Sequence, residues 1–304
     1  MPIQNVTIIG MGALGTMFGT EIQEKIGKGS VSFLMDKDRF EKNSRHTYIV
    51  NGNPASFRLI TPDRAVPADL IIVSVKATGL TQALRTMESS VGPDTIIISA
   101  VNGVRSEDIL IDKFGGDKVI HAVAQGMDAT FFNYELTFRQ TGTICLGIVD
   151  PAMRKKLDIL TGFFDSIDFP YTLEKDIQHR IWSKFMLNVG INQACMVCQT
   201  GYGGCTAPGS TARLILISAM REAKAVANAE GIPITESDLT GYVALMETLS
   251  PDSMPSMAQD RVNKKLSEVE EFAGTVVRLA AKHGILVPTN EFLYRKILSI
   301  EAEY

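Results

Sequence analysis

A glycine-rich turn directly after an apolar run constrains this chain more than any other feature. Val6-Thr7-Ile8-Ile9 is β-prone and leads into Gly10-Met11-Gly12-Ala13-Leu14-Gly15, a G-x-G-x-x-G pattern, and helix-compatible residues follow from Thr16 to Lys25. In a strand-turn-helix unit the first glycine permits the tight turn, the second lets the backbone approach a pyrophosphate, and the third allows close packing of helix on strand. Free N–H groups at the helix start then hold the phosphates.

The next acidic residue favours dinucleotide binding over a turn that only reverses the chain. A second β-like run, Val31 to Met35, ends in Asp36, about 20 residues beyond the glycines, where a dinucleotide-binding unit places the carboxylate that takes the ribose hydroxyls. We therefore expect residues 10–15 and Asp36 to bind a dinucleotide.

Two further apolar runs end in polar residues. Ala68 to Val75 leads into Lys76, and Thr95 to Val101 leads into Asn102, with a helix expected from Gly79 to Ser90 between them. Continuous apolar runs are typical of parallel strands that are buried on both faces, and ligands bind at the carboxyl ends of such strands. For Lys76, position alone is equally consistent with a solvated charge at the start of a loop.

The rest of the first half gives weaker patterns. Asn51-Gly52-Asn53-Pro54 predicts the turn of a small hairpin between Thr47–Val50 and Ser56–Ile60. Further strands are expected at Lys118–Val123 and Thr143–Ile148.

From residue 151 onward the pattern becomes helical. A short extended link, Phe169 to Leu173, places the domain boundary near residue 172. The predicted fold class is α/β, with a Rossmann-type doubly wound sheet (residues 1–172) followed by an all-α domain (residues 173–304). In the second domain we expect helices over four segments: Glu174–Gln199, Ser210–Gly231, Pro233–Ser250 and a long one from Ser256 to about Gly284.

Three polar side chains share one face of the first of these helices. Lys184, Asn188 and Asn192 are four residues apart each time, a spacing that keeps them on one side of a helix. Polar groups on an otherwise apolar helix are costly unless they meet partners. Either the protein satisfies them in its interior or they line a polar cleft, and the spacing favours the cleft.

Ser256 has two interpretations that can hold together. With Gln259 it has the spacing of a capping box, and a helix N-terminus with a hydroxyl is also suited to bind a carboxylate. The acids around Glu268 are expected on a solvated face unless one of them meets Lys184.

Composition excludes several classes of function. A net charge of −4 gives no basic field for nucleic acid, and no apolar run approaches the ~20 residues that span a bilayer. The sequence has no leader pattern, so we expect a cytoplasmic protein. Four cysteines are too few for a disulfide scaffold, and Cys195-x-x-Cys198 lacks a second pair or a nearby histidine. We expect buried free thiols and no metal site.

Taken together, these motifs resemble the ketopantoate reductase (2-dehydropantoate 2-reductase) family over essentially the whole chain. The resemblance is carried by residues 10–15, Val75-Lys76-Ala77, Asn102-Gly103, Trp182-Ser183-Lys184-Phe185 with Asn188 and Asn192, Ser256-Met257-Ala258-Gln259-Asp260 with Glu268, and Gly284 to Asn290. It implies a Rossmann domain, a helical domain and a reaction in which a nicotinamide reduces a small branched 2-keto acid, in the first place ketopantoate to pantoate in pantothenate biosynthesis.

The resemblance also implies roles for individual residues. Lys184 would protonate the ketone oxygen, and Glu268 would help to position the reacting groups. Asn102, Asn188, Asn192 and Ser256 would hold the substrate, and Lys76 and Asn102 would border the cofactor. The resemblance leaves a homodimer open.

Two departures leave the cofactor and substrate open. Many family members end the second strand with a basic residue that takes the 2′-phosphate of NADPH, whereas Asp36 should repel that phosphate and favour NADH over NADPH. The segment Gly201-Tyr202-Gly203-Gly204 lacks an asparagine that family members can use for substrate. The alternatives are an NAD-dependent D-2-hydroxyacid dehydrogenase for a bulky, mandelate-type substrate and, from another class, a dinucleotide sensor without catalysis.

Overall fold

The computed structural model describes residues 2–304, which form two compact units that divide between Ile177 and Gln178. The first unit is α/β and the second is helical, so the predicted fold class is confirmed. The division lies close to the boundary expected near residue 172. The assignment of cofactor to the first domain and substrate to the second stays a prediction.

The first unit is built on parallel strands joined by helices. Its strands are β1 (Val6–Ile9), β2 (Val31–Leu34), β3 (Tyr48–Val50), β4 (Asn53–Ala55), β5 (Arg58–Ile60), β6 (Leu70–Val73), β7 (Ile96–Ser99), β8 (Val119–Gln125), β9 (Thr130–Phe132), β10 (Glu135–Thr137), β11 (Thr143–Gly147) and β12 (Tyr171–Leu173). Its helices are α1 (Ala13–Ile26), α2 (Lys37–Asn43), α3 (Leu80–Met87), α4 (Ser106–Phe114) and α5 (Arg154–Ser166).

The main sheet has the strand order β12-β11-β8-β7-β6-β1-β2-β5, and β3, β4, β9 and β10 form a separate small sheet. All neighbours in the main sheet are parallel except β8 and β11. Successive residues of the central strands face opposite sides, so that Ile8 and Ile72 pack with residues of α1 and α5 while Ile71 and Val73 pack with residues of α3 and α4. Helices therefore cover both faces, which is why the strands are apolar throughout.

One local prediction in this unit is wrong, and another is only part of what the structure shows. β3 pairs with β4 across the Asn51-Gly52 turn, whereas Arg58–Ile60, expected to form the second strand of the hairpin, joins the main sheet beside β2. The short link expected at Phe169–Leu173 is extended as predicted, and its last three residues form β12, which pairs with β11 at the sheet edge. In both places the backbone hydrogen bonds with a neighbouring strand decide the outcome.

The second unit consists of helices. They are α6 (Ile177–Cys198, which begins one residue before the division), α7 (Tyr202–Thr206), α8 (Thr211–Ala229), α9 (Glu236–Glu247), α10 (Ser256–Val262), α11 (Thr275–His283) and α12 (Pro288–Glu301). The single long helix expected from Ser256 to about Gly284 is wrong. It is replaced by α10, a non-helical segment, a π-helical turn at Glu270–Gly274, and α11. Within residues 2–304, no helix combines the length and apolarity needed to cross a bilayer.

The turn from β1 into α1 depends on close backbone packing. A side chain on Gly15 would overlap the carbonyl oxygen of Gly10 and the hydroxyl of Ser74. Gly10 has a φ of +108°, and a Cβ there would lie 2.8 Å from the backbone of Ser74. Gly12 differs, because a Cβ at that position has open space around it. The first and third glycines are therefore required by packing, and the second is not.

This contrast predicts opposite effects of the same substitution at two glycines. We expect Gly15→Ala to destabilise the protein by about 1–3 kcal/mol, since the added methyl group meets backbone that cannot move aside easily. The matched Gly12→Ala variant should stay within about 0.5 kcal/mol of the wild type. Denaturant unfolding of both variants measures the difference, and equal losses would contradict the packing argument.

Candidate functional site

The polar residues of the first unit lie at one edge of the main sheet. Neighbouring parallel strands β7, β6, β1 and β2 are followed in turn by Asn102, Lys76, Gly10 and Asp36. Because the carboxyl ends of parallel strands meet at the same edge, the structure brings these four positions together. This is the edge at which open α/β sheets bind their ligands.

The start of α1 has the features of a phosphate site. Gly12 precedes the helix without a capping side chain, and the first turn carries no acidic residue. The exposed position of Gly12, with open space where a Cβ would stand, leaves the N–H groups of this turn accessible to a ligand. The helix is 14 residues long, and its N-terminus favours negative charge. The residues present therefore fit a pyrophosphate.

Asp36 has a structural role as well as an accessible carboxylate. Its Oδ1 accepts a hydrogen bond from the backbone N–H of Arg39 at 2.9 Å, which caps α2. Its Oδ2 lies 3.6 Å from Nε of Arg39, and the aspartate side chain is 29% exposed. A carboxylate can accept about four hydrogen bonds, so acceptor capacity remains for ribose hydroxyls.

A buried chain of hydrogen bonds anchors the Asn102 loop at both ends. The Ser99 hydroxyl, at the end of β7, donates to Ser106 Oγ at 2.9 Å, and Ser106 donates to Glu107 Oε2 at 2.8 Å at the start of α4. Ser99 Oγ also accepts from the N–H of Val101 at 3.2 Å. Burial raises the pKa of Glu107 to about 7, against the hydrogen bonds from Ser106 and the backbone that oppose the shift. The polar groups that fix this loop therefore include an acid that titrates near neutrality.

In the second unit, two of the predicted asparagines and the predicted serine form one network. Asn192 Oδ1 accepts from the Ser256 hydroxyl at 3.0 Å and from the N–H of Met257 at 3.2 Å. Its Nδ2 faces Asn188 Oδ1 at 3.4 Å. Asn192 is only 5% exposed, whereas Ser256 is exposed and Asn188 half-buried. The network thus runs from the buried side of α6 to the protein surface.

The predicted capping box at Ser256 and Gln259 is wrong. Pro255 occupies the N-cap position of α10 without a side-chain cap, and the Gln259 side chain donates to the carbonyl of Met254 instead. The N–H of Met257 is satisfied by Asn192, a residue of another helix. Ser256 is consequently committed to α6 and not to its own helix.

Lys184 and Glu268 are carried by two segments that pack together. Lys184 is half-buried on α6, and Glu268 is 6% exposed in the turn before the π-helical segment. The neighbouring Phe185 and Phe272, which follows one turn after Glu268, have ring centroids 6.4 Å apart. Glu268 therefore does not lie on the solvated face expected from the acidic sequence pattern. π-helical turns occur frequently at functional sites.

Sequence reasoning missed several hydrogen-bonding groups, some in each unit. These groups are the N–H of Met257, which donates to Asn192, and the hydrogen-bonded side chains of Ser99, Ser106 and Glu107. Periodicity within one element does not reveal contacts of this kind. A serine followed by an acid at a helix start was the available signal for Ser106 and Glu107. The described residues contain no cluster of three or more histidine, cysteine or acidic side chains that could hold a metal ion.

Comparison with protein families matches both units. The model described as "Ketopantoate reductase PanE/ApbA" matches residues 6–148, and the model described as "Ketopantoate reductase PanE/ApbA C terminal" matches residues 176–301. Between them they cover most of the chain.

The matches with individual relatives likewise span almost the whole chain. A 2-dehydropantoate 2-reductase of Vibrio cholerae is 24% identical, with 99% of each chain covered. Among solved structures, a 2-dehydropantoate 2-reductase from Geobacter metallireducens has a TM-score of 0.85 at 23% identity, with 97% of this chain and 99% of that chain covered. D-mandelate dehydrogenase, solved with NADH and anilino(oxo)acetate, has a TM-score of 0.86 at 21% identity, with 98% of each chain covered. At these identities the structural matches establish the fold.

The buried carboxyl of Glu107 predicts a pH-dependent stability. Its pKa is raised from 4.5 to about 7 by burial, so the folded state holds its proton over a range in which the unfolded state has lost it. Below about pH 4.5 both states are protonated and there is no penalty; stability then falls as the pH rises and the loss, about 3 kcal/mol, is complete above about pH 7. The neutral Glu107→Gln variant should lack this component.

Urea unfolding of both proteins at about pH 5 and about pH 8 measures the effect as the change in their difference. The wild type should lose stability relative to the glutamine variant at the higher pH. Parallel profiles would show that Glu107 is not held protonated by the fold.

Proposed function

Because the chain belongs to the ketopantoate reductase family, we propose that it is an oxidoreductase that reduces the ketone of 2-dehydropantoate (ketopantoate) to pantoate with NADH or NADPH, a step of pantothenate biosynthesis. The observation that carries the proposal is a polar network in which Asn188 and Asn192, on the α6 face that carries Lys184, are joined by Ser256 of α10. A site for a small anionic substrate with a reducible carbonyl needs this combination of one cation and several neutral hydrogen-bonding groups.

The first unit is the proposed dinucleotide site. The N–H groups at the start of α1, with Gly10, Met11, Gly12, Ala13, Leu14 and Gly15 around them, would bind the pyrophosphate. Asp36 would accept hydrogen bonds from the adenosine ribose, and Lys76 and Asn102 would border the cofactor. The bound nicotinamide supplies hydride to the carbonyl carbon.

Lys184 is the proposed general acid. As the carbonyl oxygen gains negative charge during hydride addition, the ammonium group of Lys184 stabilises that charge and donates a proton to the oxygen. Glu268, which is buried in the turn packed near this part of α6, would orient the lysine and the reacting oxygen. Water must return the proton to Lys184 before the next turnover.

Ser256, Asn188 and Asn192 are the proposed substrate ligands of the second unit. A serine hydroxyl can rotate, so Ser256 can turn its proton from Asn192 Oδ1 to the substrate carboxylate. Asn192 Oδ1 would still be satisfied by the N–H of Met257, which is 3.2 Å away. Substrate binding at Ser256 therefore need not leave a buried acceptor without a donor.

A second candidate, an NAD-dependent D-2-hydroxyacid dehydrogenase for a bulky substrate, is favoured by Asp36. A carboxylate at this position disfavours a 2′-phosphate, and the structural neighbour D-mandelate dehydrogenase was solved with NADH. A non-catalytic dinucleotide sensor accounts less well for the polar face of α6, because a sensor would need the first unit alone. The cytoplasmic location and the homodimer stay predictions.

Parallel turnover measurements separate these functions. We expect rapid oxidation of NADH with ketopantoate and slow oxidation with benzoylformate, each repeated with NADPH. Turnover of benzoylformate alone would make the protein a hydroxyacid dehydrogenase on the same fold. Absence of turnover with either keto acid, for protein that binds NADH, would favour the sensor.

Substitution of Lys184 tests the chemical role. We expect Lys184→Ala to lower kcat by about 10²- to 10⁴-fold, the usual contribution of a general acid, with little change in affinity for the dinucleotide. The matched control is Lys175→Ala, since Lys175 is an exposed lysine just before α6. Unchanged turnover in the Lys184 variant would remove this residue as the acid.

Cofactor choice is tested by Asp36→Asn. Asparagine keeps the cap on the N–H of Arg39 but removes the charge, so capping and charge are separated. We expect the ratio of kcat/KM for NADPH over NADH to rise about tenfold, which corresponds to about 1.4 kcal/mol. A wild type that prefers NADPH, or an unchanged ratio in the variant, would contradict the role of the carboxylate.

A further inference from the structure

Two buried thiols face each other where α6 leads into α7. The Sγ atoms of Cys195 and Cys205 are 3.2 Å apart, and both residues are fully buried. Cys198, three residues after Cys195, is half-buried, and all of these cysteines are free thiols. The sequence spacing drew attention to Cys195 and Cys198, but the sulfur that contacts Cys195 belongs to Cys205.

This arrangement places two sulfur atoms close to bonding distance. A disulfide requires a separation of about 2.05 Å, so the two sulfur atoms would have to approach by about 1 Å. The backbone between them is short and turns sharply, with Gln199 in the left-handed region at a φ of +52°. The carbonyl of Gly201 lies 3.6 Å from Cys195 Sγ and accepts the N–H of Cys205 at 3.3 Å, which fixes both residues around one acceptor.

We propose that Cys195 and Cys205 form a reversible oxidation site, at which a hydroperoxide converts the dithiol into a disulfide. One thiol loses its proton, and its sulfur attacks the hydroperoxide to give a sulfenic acid and an alcohol, or water when hydrogen peroxide is the oxidant. The second sulfur then displaces hydroxide from the sulfenic acid, and one water leaves as the S–S bond forms. Two thiols are thereby oxidised and one peroxide O–O bond is reduced.

The surroundings of the two thiols make their oxidation slow and limit access to small reagents. The hydrogen bond to Cys205 and burial raise the pKa of the Cys195 thiol, so that little reactive thiolate is present at neutral pH. A peroxide is small enough to enter on local opening, whereas an alkylating reagent meets the half-buried Cys198 first. A reducing compartment would return the disulfide to the dithiol.

Oxidation of Cys195 and Cys205 would displace the proposed substrate ligands. The N–H groups of Tyr202 and Gly203 on α7 donate to the carbonyls of Ser253 and Pro251 at 3.0 and 2.9 Å, in the segment that leads to Ser256. Cys195 follows Asn192 by one turn of α6, and Asn192 binds Ser256. Formation of the disulfide would therefore move both α7, which holds the segment before Ser256, and the turn of α6 that carries Asn192. This consequence rests on the proposed function, whereas the oxidation site does not.

Peptide mapping tests the oxidation site without any activity measurement. The folded wild-type protein is treated with hydrogen peroxide, alkylated under denaturing conditions and digested. We expect a linked pair of Cys195 and Cys205 peptides that has lost two hydrogen atoms and is restored by dithiothreitol, with two of the four thiols consumed. A linkage that involves Cys198, or irreversible oxidation without linkage, would overturn the proposal.

Variants then test the consequence. Oxidised wild type should show a KM for the keto acid that is about five- to tenfold higher, as for the loss of about one hydrogen bond, and dithiothreitol should reverse the change. Cys205→Ser should abolish this response, and the matched Cys198→Ser variant should retain it. A mapped disulfide without a change in KM would contradict the coupling to Ser256 but not the oxidation site. Absence of turnover in the fully reduced protein would contradict the proposed function but not the oxidation site.

Discussion

The turn from β1 into α1 leaves no room for a side chain at Gly15, and much of the first unit depends on this close approach. The third glycine packs on the carbonyl of Gly10 and on Ser74, whose hydroxyl donates to the carbonyls of Ile9 and Gly10 at 3.2 Å each. Helix α1 is thereby held against the sheet with its start at the edge where β2, β6 and β7 also end. One steric constraint thus fixes the start of α1 at the carboxyl end of the sheet, where the other residues proposed to bind the dinucleotide also lie.

The features that could be predicted from the sequence are those that local physics decides. The central strands are continuous apolar runs because both faces are buried, and the glycine pattern follows from packing that only glycine permits. The small hairpin shows the limit of this reasoning. Its turn at Asn51-Gly52 was predicted, but the short strand after it includes Pro54, a residue disfavoured in strands, and the more β-prone Arg58–Ile60 pairs elsewhere.

The second unit departs further from local preference, because long-range contacts interrupt a helix-compatible sequence. Arg261 at the end of α10 donates to the carbonyl of Val197 at 3.2 Å, and the N–H of Ser267 donates to the Glu301 side chain at 2.8 Å. Between them, Lys264 adopts the left-handed conformation at a φ of +49°. These partners lie far apart in sequence, so no helical periodicity in this segment could indicate the break or the π-helical turn that follows Glu268.

The polar face of α6 shows how spacing can locate a site and still leave its chemistry open. Four-residue spacing placed Lys184, Asn188 and Asn192 on one side of the helix, with burial among partners and exposure to a cleft as the two alternatives. Asn192 is buried and its carbonyl oxygen is satisfied by Ser256 and Met257, while Asn188 and Lys184 are half-buried. Burial among partners therefore applies to Asn192, and the exposure of this helix face to a cleft stays a prediction. A buried amide must have hydrogen-bond partners before any ligand arrives. The buried Asn192 therefore fixes the position of the exposed Ser256, so that a structural residue orients an accessible one.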